Sequence, residues 1–323
     1  MEPDPFTSPR LSRRRFLALG AGLVVATACS DNGGGDGGTQ AGAGASSSTS
    51  TRPTFDQANA PVKGLTASSD LYVTEEPQRF AFAVLDSRGE EETYVLGEPV
   101  SIAFQGPDGQ RIPAQDAVWR TTSESETHLH ADGEEHVHEG GLGIYTVEAI
   151  FDAPGVWFAS VAYDSVEGPL PIEVRPEPLA PIAGQEAVVT PSPTPEEPLG
   201  VDPICTRDPA CSLHDVSLDD AMAGDLPVAV LFATPARCTS RWCGPVLDTM
   251  LDVAGDYEGR IRFVHVEIYQ DLQSNDLVPT MQEWGLHSEP WLFRIGTDGR
   301  ITGRLDSAFD QAEMRELLDA LVA

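Results

Sequence analysis

The chain has 323 residues, with 20 Lys and Arg against 51 Asp and Glu, a formal net charge of −31. So acidic a surface excludes a nucleic-acid partner, because phosphate binding needs clustered positive charge. It suits solubility, cations or high salt, and the length leaves room for two folded domains of about 115 residues each.

Taken in chain order, the first feature is Ser12-Arg13-Arg14-Arg15-Phe16-Leu17-Ala18, leading into an apolar stretch, Phe16 to Ala28. That stretch is too short to span a bilayer stably. The segment resembles the twin-arginine export signal, and Ala26-Thr27-Ala28 before Cys29 resembles a bacterial lipoprotein cleavage site. The resemblance implies that residues 1–29 are a signal peptide and that Cys29 becomes a lipidated N-terminus. The protein would then be exported and anchored to the outer face of the cytoplasmic membrane. Without the charges of 1–29, 16 basic and 49 acidic residues remain, a net of −33. Setting Cys29 aside leaves Cys205, Cys211, Cys238 and Cys243, an even set suited to an oxidising compartment. Residues 30–65 are rich in Gly, Ser and Thr and read as a flexible tether.

Residues 66–178 alternate apolar and polar side chains in short runs. Expected strands are 79–86, 98–106, 144–152, 156–164 and 169–176, with turns at Asp108-Gly109 and Pro154-Gly155. The pattern predicts an all-β sandwich of immunoglobulin-like type. The stretch Gly143 to Trp157 resembles such domains in other bacterial exported proteins, a likeness of fold that carries no activity. Within it, His128, His130, His136 and His138 gather four of the seven histidines. Histidines two apart on a strand share a face, so a hairpin turning near Asp132-Gly133 gathers a set suited to copper, zinc or nickel. The alternative is a solvated tip whose histidines touch nothing.

Residues 179–203, rich in Pro, Ala, Glu and Thr, predict an extended, semi-rigid linker. The last domain is expected over 204–323. Cys205-x5-Cys211 lies in irregular, Pro-containing chain and reads as a structural disulfide; four-cysteine zinc sites favour shorter spacings. A relay to the later cysteines is the sharper alternative. Ser217 and Asp220 predict a capping box, and His214 reads as an exposed residue just before that helix.

Val228 to Phe232 predicts a buried strand that breaks at Pro235 into a loop with Cys238 and Cys243. Gly244-Pro245 then opens a helix with apolar Val246, Leu247, Met250, Leu251 and Ala254. A strand at 261–269, a helix around 275–285, Glu289-Pro290-Trp291, a hairpin around Asp298-Gly299 and a helix at 310–322 complete the domain. This order, with Trp242-Cys243-Gly244-Pro245 at a helix start, resembles the thioredoxin fold. The resemblance implies that Pro290 is the cis proline beside the active cysteines. Two departures stand out: Val246 replaces the second motif cysteine, and Leu231 falls near the position of thioredoxin's buried acid.

A thiolate at a helix start is favoured by free N–H groups and the helix dipole. Cys243 is therefore expected to have a lowered pKa and to be the nucleophile, with Cys238 resolving. Arg237 and Arg241 flank the loop as thiolate stabilisers or plain surface charge, and Trp242 reads as the rim that docks partner chains. His287, before Pro290, suggests a copper set with the two cysteines, resembling the Sco chaperones, or an ordinary loop histidine; His265 reads as packed mid-strand. The expected activity is extracytoplasmic thiol–disulfide exchange needing no cofactor. Its partners are exported protein thiols and disulfides or a membrane-bound reductant, with lipid held through Cys29. Two other readings stand beside it: a copper- or zinc-handling lipoprotein using the histidine hairpin, and a non-catalytic adaptor whose disulfides are staples.

Overall fold

Alternating apolar residues draw the first half of the chain into two sheets. The structure, a computed structural model, describes residues 59–129, 135–238 and 240–322, with the side chains of 122–142 outside the description. Cys29, the export segment and His130 therefore lie outside the described residues. One sheet contains β1 (Val62–Thr66), β2 (Gln78–Asp86), β3 (Thr93–Tyr94), β6 (Val118–Leu129) and β7 (Glu135–Ala149), in the order β1-β2-β7-β6 with β3 on β2. The other runs β5-β4-β8-β9, from β4 (Val100–Gln105), β5 (Arg111–Asp116), β8 (Gly155–Tyr163) and β9 (Val166–Val174).

Every pairing within these sheets is antiparallel. Val100, Ile102 and Phe104 face inward at every second position of β4, as a pleated strand with one wet face requires. They meet Phe80, Phe82 and Val84 of β2 in one apolar core with Trp157 of β8. The rings of Phe104 and Phe151 stand edge to face at 5.5 Å, as do Phe151 and Trp157 at 5.2 Å, a favoured arrangement for aromatic quadrupoles. This is a β-sandwich. In the long β6–β7 ribbon the backbone register pairs His128 with His136 and Glu126 with His138; the side chains of His128, His136 and His138 lie outside the described residues.

The second half is built on a four-stranded mixed sheet, β11-β10-β12-β13. Here β10 (Val228–Phe232) and β11 (Arg262–Val266) are parallel, while β12 (Trp291–Ile295) and β13 (Ile301–Asp306) add antiparallel. The sheet is buried on both faces, so β10 is apolar at every position. Val228, Val230 and Phe232 pack under α1 (Leu218–Met222) and α3 (Pro279–Glu283); Ala229 and Leu231 pack under α2 (Cys243–Ala254) and α4 (Gln311–Val322). Strand, helix, strand, helix, hairpin and helix follow one another as the thioredoxin resemblance implies. The Glu289-Pro290 bond is cis. Ser217 precedes α1, but its hydroxyl serves Ser192 N–H and Asp219 instead of closing a capping box.

Residues 179–203 are the first correction. Ala180, Ala187 and Val201 are buried in the core of the second half, Ala187 N–H donates to Gly299 O at 2.9 Å, and Ile301 N–H donates to Gln185 O at 2.9 Å. The linker expected from composition is a strap that walls one face of the mixed sheet. The described residues accordingly fall in one compact unit.

Charged groups join sandwich to mixed sheet in both directions. Arg79 of β2 donates to both Glu313 carboxylate oxygens, at 2.7 and 3.1 Å, and to the Asp306 carbonyl at 3.2 Å. Reciprocally, Arg304 of β13 reaches Asp70 at 3.0 Å, and Asp70 also accepts the N–H groups of Leu179 and Ala180. Among the described residues, no helix is long and apolar enough to cross a membrane.

Candidate functional site

Two thiol clusters lie near the ends of β10 and β11. The first is the loop between β10 and α2. Its last residues reverse direction through Arg241, a non-glycine residue at φ 67°, so the loop folds back on the helix start. As a result the backbone N–H of Cys243, at the first position of α2, donates to Cys238 Sγ at 3.2 Å. Ser240 Oγ lies 3.2 Å from the same sulfur and 3.4 Å from the Glu289 carbonyl, adjoining Pro290.

This geometry gives the two cysteines different surroundings. Cys238 is partly exposed, and the Cys243 thiol donating to its sulfur, reinforced by Ser240, lowers its pKa to about 7 against the cost of burial. Cys243 is fully buried; burial first, and then its hydrogen bond to Cys238, push its pKa well above the ordinary thiol value. The helix-start reasoning holds physically, but the N–H group lands on the other sulfur.

The flanking residues are committed elsewhere. Arg237 donates to the Asp271 carbonyl at 3.0 Å and to Asn275 at 2.8 Å, and its guanidinium covers the Tyr269 ring at 4.4 Å. Arg241 is exposed. Trp242, expected as a partner-docking rim, packs against Ala81 and Ile144 of the sandwich together with Ala308. Leu231 is core, and His287 is exposed.

A buried carboxyl is nevertheless present. On β11 and its continuation, Phe263, His265 and Glu267 alternate, and a period of two puts them on one face. Glu267 is 1% exposed; burial raises its pKa, while Thr206 N–H donates to it at 2.9 Å and the Thr206 hydroxyl lies at 3.3 Å. Thr206 Oγ1 also accepts the N–H of Ala236 at 3.1 Å, tying the cysteine loop to the segment that carries the second cluster.

That second cluster gathers Cys205, Cys211, His214 and His265, whose ligand atoms all lie within 4.8 Å of one another. Leu213 O accepts the N–H of His265 at 2.9 Å, laying the 202–215 segment along the free edge of β11. His265 Nδ1 is 3.4 Å from Cys211 Sγ, 3.9 Å from Cys205 Sγ and 3.0 Å from His214 Nε2. His214, expected to be exposed, is 3% exposed, and burial lowers its pKa. The four described cysteines are free thiols, and Cys211 N–H points at Cys205 Sγ at 3.4 Å. The Cys211 thiol donates to Cys205, lowering the Cys205 pKa and raising its own. The donor set is able to hold a metal ion. Sequence reasoning missed Glu267 and the joining of His214 to His265; the alternation in Val264-His265-Val266-Glu267 was the available signal.

No protein-family model matches the chain. Among solved structures it is similar to a putative thiol:disulfide interchange protein DsbE from Chlorobium tepidum, at 15% identity and a TM-score of 0.32, over 45% of this chain and 100% of that one. It is also similar to the Lin-41 filamin domain, at 12% identity and a TM-score of 0.21, over 36% of this chain and 95% of the other.

Proposed function

We propose that this chain is an exported, lipid-anchored thiol–disulfide oxidoreductase whose attacking residue is Cys238 and whose resolving residue is Cys243. The second half is read as a thioredoxin-like domain and the first as an immunoglobulin-like platform. The observation carrying the proposal is the convergence of the Cys243 N–H and thiol on Cys238 Sγ. The thiolate is the nucleophile in exchange, and a thiol with a pKa near ambient pH attacks best.

In the reducing direction Cys238 S⁻ attacks a substrate disulfide, forming a mixed disulfide and releasing one substrate thiolate. Cys243, after losing its proton, attacks Cys238 Sγ, which closes the Cys238–Cys243 disulfide and frees the second substrate thiol. The two electrons gained by the substrate leave the dithiol, and an exported thiol or a membrane-bound reductant restores it.

Alkylation of each reduced cysteine, followed against pH by mass spectrometry, tests the assignment. The Cys238 rate should rise with a midpoint at about pH 7, because only the thiolate reacts, while Cys243 stays protected. A Cys243 that titrates below Cys238 overturns the assignment. Export and anchoring rest on Arg13-Arg14-Arg15 and Cys29. Cys29→Ser should move the protein from the membrane fraction to the soluble fraction; wild-type protein recovered soluble with an unmodified Cys29 refutes the anchor.

A further inference from the structure

We infer that Cys205, Cys211, His214 and His265 form a closed, four-ligand Zn²⁺ site that fastens the 202–215 segment to the edge of β11 beside the redox loop. It is separate from the exchange chemistry proposed for Cys238 and Cys243. Zn–S bonds of about 2.3 Å and Zn–N bonds of about 2.0 Å, set tetrahedrally, place sulfur and nitrogen about 3.5 Å apart and the two nitrogens about 3.3 Å apart. The two S···N separations to His265, 3.4 and 3.9 Å, and the N···N separation of 3.0 Å each lie within about 0.4 Å of those values.

The orientation of the rings agrees. His265 Nε2 faces the Ala233 carbonyl at 3.0 Å, so that nitrogen carries the proton and Nδ1 presents its lone pair to the cluster. A backbone carbonyl behind a ligating histidine is the usual outer partner of a metal site. His214 turns Nε2 to the same point, and its Nδ1 is buried without a hydrogen-bond partner.

Charge favours the same occupant. Zn²⁺ replaces the two thiol protons, which leave to solvent, and two thiolates with two neutral imidazoles give a complex of zero net charge. A neutral complex suits a place where Cys205, His214 and His265 are nearly excluded from water. Soft thiolates with imidazoles in a tetrahedral set select zinc over the hard cations. With four protein ligands no position stays open for substrate, so the ion is structural. It pins Thr206, and through Thr206 the Ala236 end of the cysteine loop.

The test is metal analysis of the full chain purified without a polyhistidine tag, together with a thiol map. The wild type should carry about one zinc per chain, with Cys205 and Cys211 both reduced. His265→Ala and Cys205→Ser should each lower zinc to below about a tenth of that. A variant with His128, His130, His136 and His138 all replaced by Ala should keep it, as should Cys238→Ser, which separates this site from the exchange reading. Should a cluster variant fail to fold, cobalt substitution of the wild type decides: thiolate-to-cobalt charge-transfer absorption is expected. A Cys205–Cys211 disulfide, copper in place of zinc, zinc lost with the hairpin histidines, or cobalt bound without that absorption overturns the inference.

Discussion

Cys238→Ser should abolish reduction of a model disulfide, lowering the rate by on the order of 100-fold or more, since the first bond can no longer form. Cys243→Ser should behave differently. Cys238 retains Ser240 and the position-243 N–H, and it still attacks, but no buried thiol remains to resolve the product. The expected result is a stable mixed disulfide at Cys238, trapped with substrate and seen by intact-mass measurement. The Cys238 pKa should also rise in Cys243→Ser, because the Cys243 thiol is the largest influence lowering it. A stable mixed disulfide on Cys243 in the Cys238→Ser variant would restore the order expected from sequence.

Arg79→Ala should be the most destabilising single change at the joint between the sandwich and the mixed sheet. Its side chain is 12% exposed and its partners Glu313 and Asp306 are 8% and 13% exposed. Removing one member of a buried ion pair strands the other, at a cost of about 3–5 kcal/mol. The direction with pH follows from the carboxyls. Burial raises the Asp306 pKa even with Arg79 present, so protonation favours the folded state of this group and ionisation opposes it. Without Arg79 the Asp306 carboxyl is harder still to ionise when folded. The deficit against wild type should therefore be largest near pH 7 and shrink on mild acidification. Urea unfolding at several pH values measures this; a deficit under about 1 kcal/mol at pH 7 shows the joint to be energetically minor. The double change Arg79→Met with Glu313→Leu should recover much of the loss, because apolar packing often replaces a buried pair at little cost.

Strands with one wet face were legible because β4 alternates without a break, and the hairpin of β12 and β13 was announced by Asp298-Gly299. The second domain's element order could be read because each helix or strand is a local pattern. What escaped depends on chain reversal or distance. No sequence pattern says that Arg241 takes a left-handed conformation and carries the helix-start N–H to Cys238. His214 and His265 lie 51 residues apart, and each alone is an unremarked histidine. The strap went unread because extended chain buries single residues such as Ala180, Ala187 and Val201 without any period. Of β6 only the end at the histidine hairpin was read, for a related reason, since Thr121 to Thr127 is polar throughout.

That strap also changes what counts as a transferable piece of this protein. A gene segment starting at codon 204 encodes every strand and helix of the mixed sheet, yet omits Ala180, Ala187 and Val201 from its core. The polypeptide would emerge with part of the apolar core around Val230, Phe232 and Phe293 uncovered. Recombination at the proline-rich stretch would likewise separate a core from its own lining. The heritable module therefore begins upstream of its first helix, near residue 179, where Leu179 N–H is held by Asp70 of the sandwich.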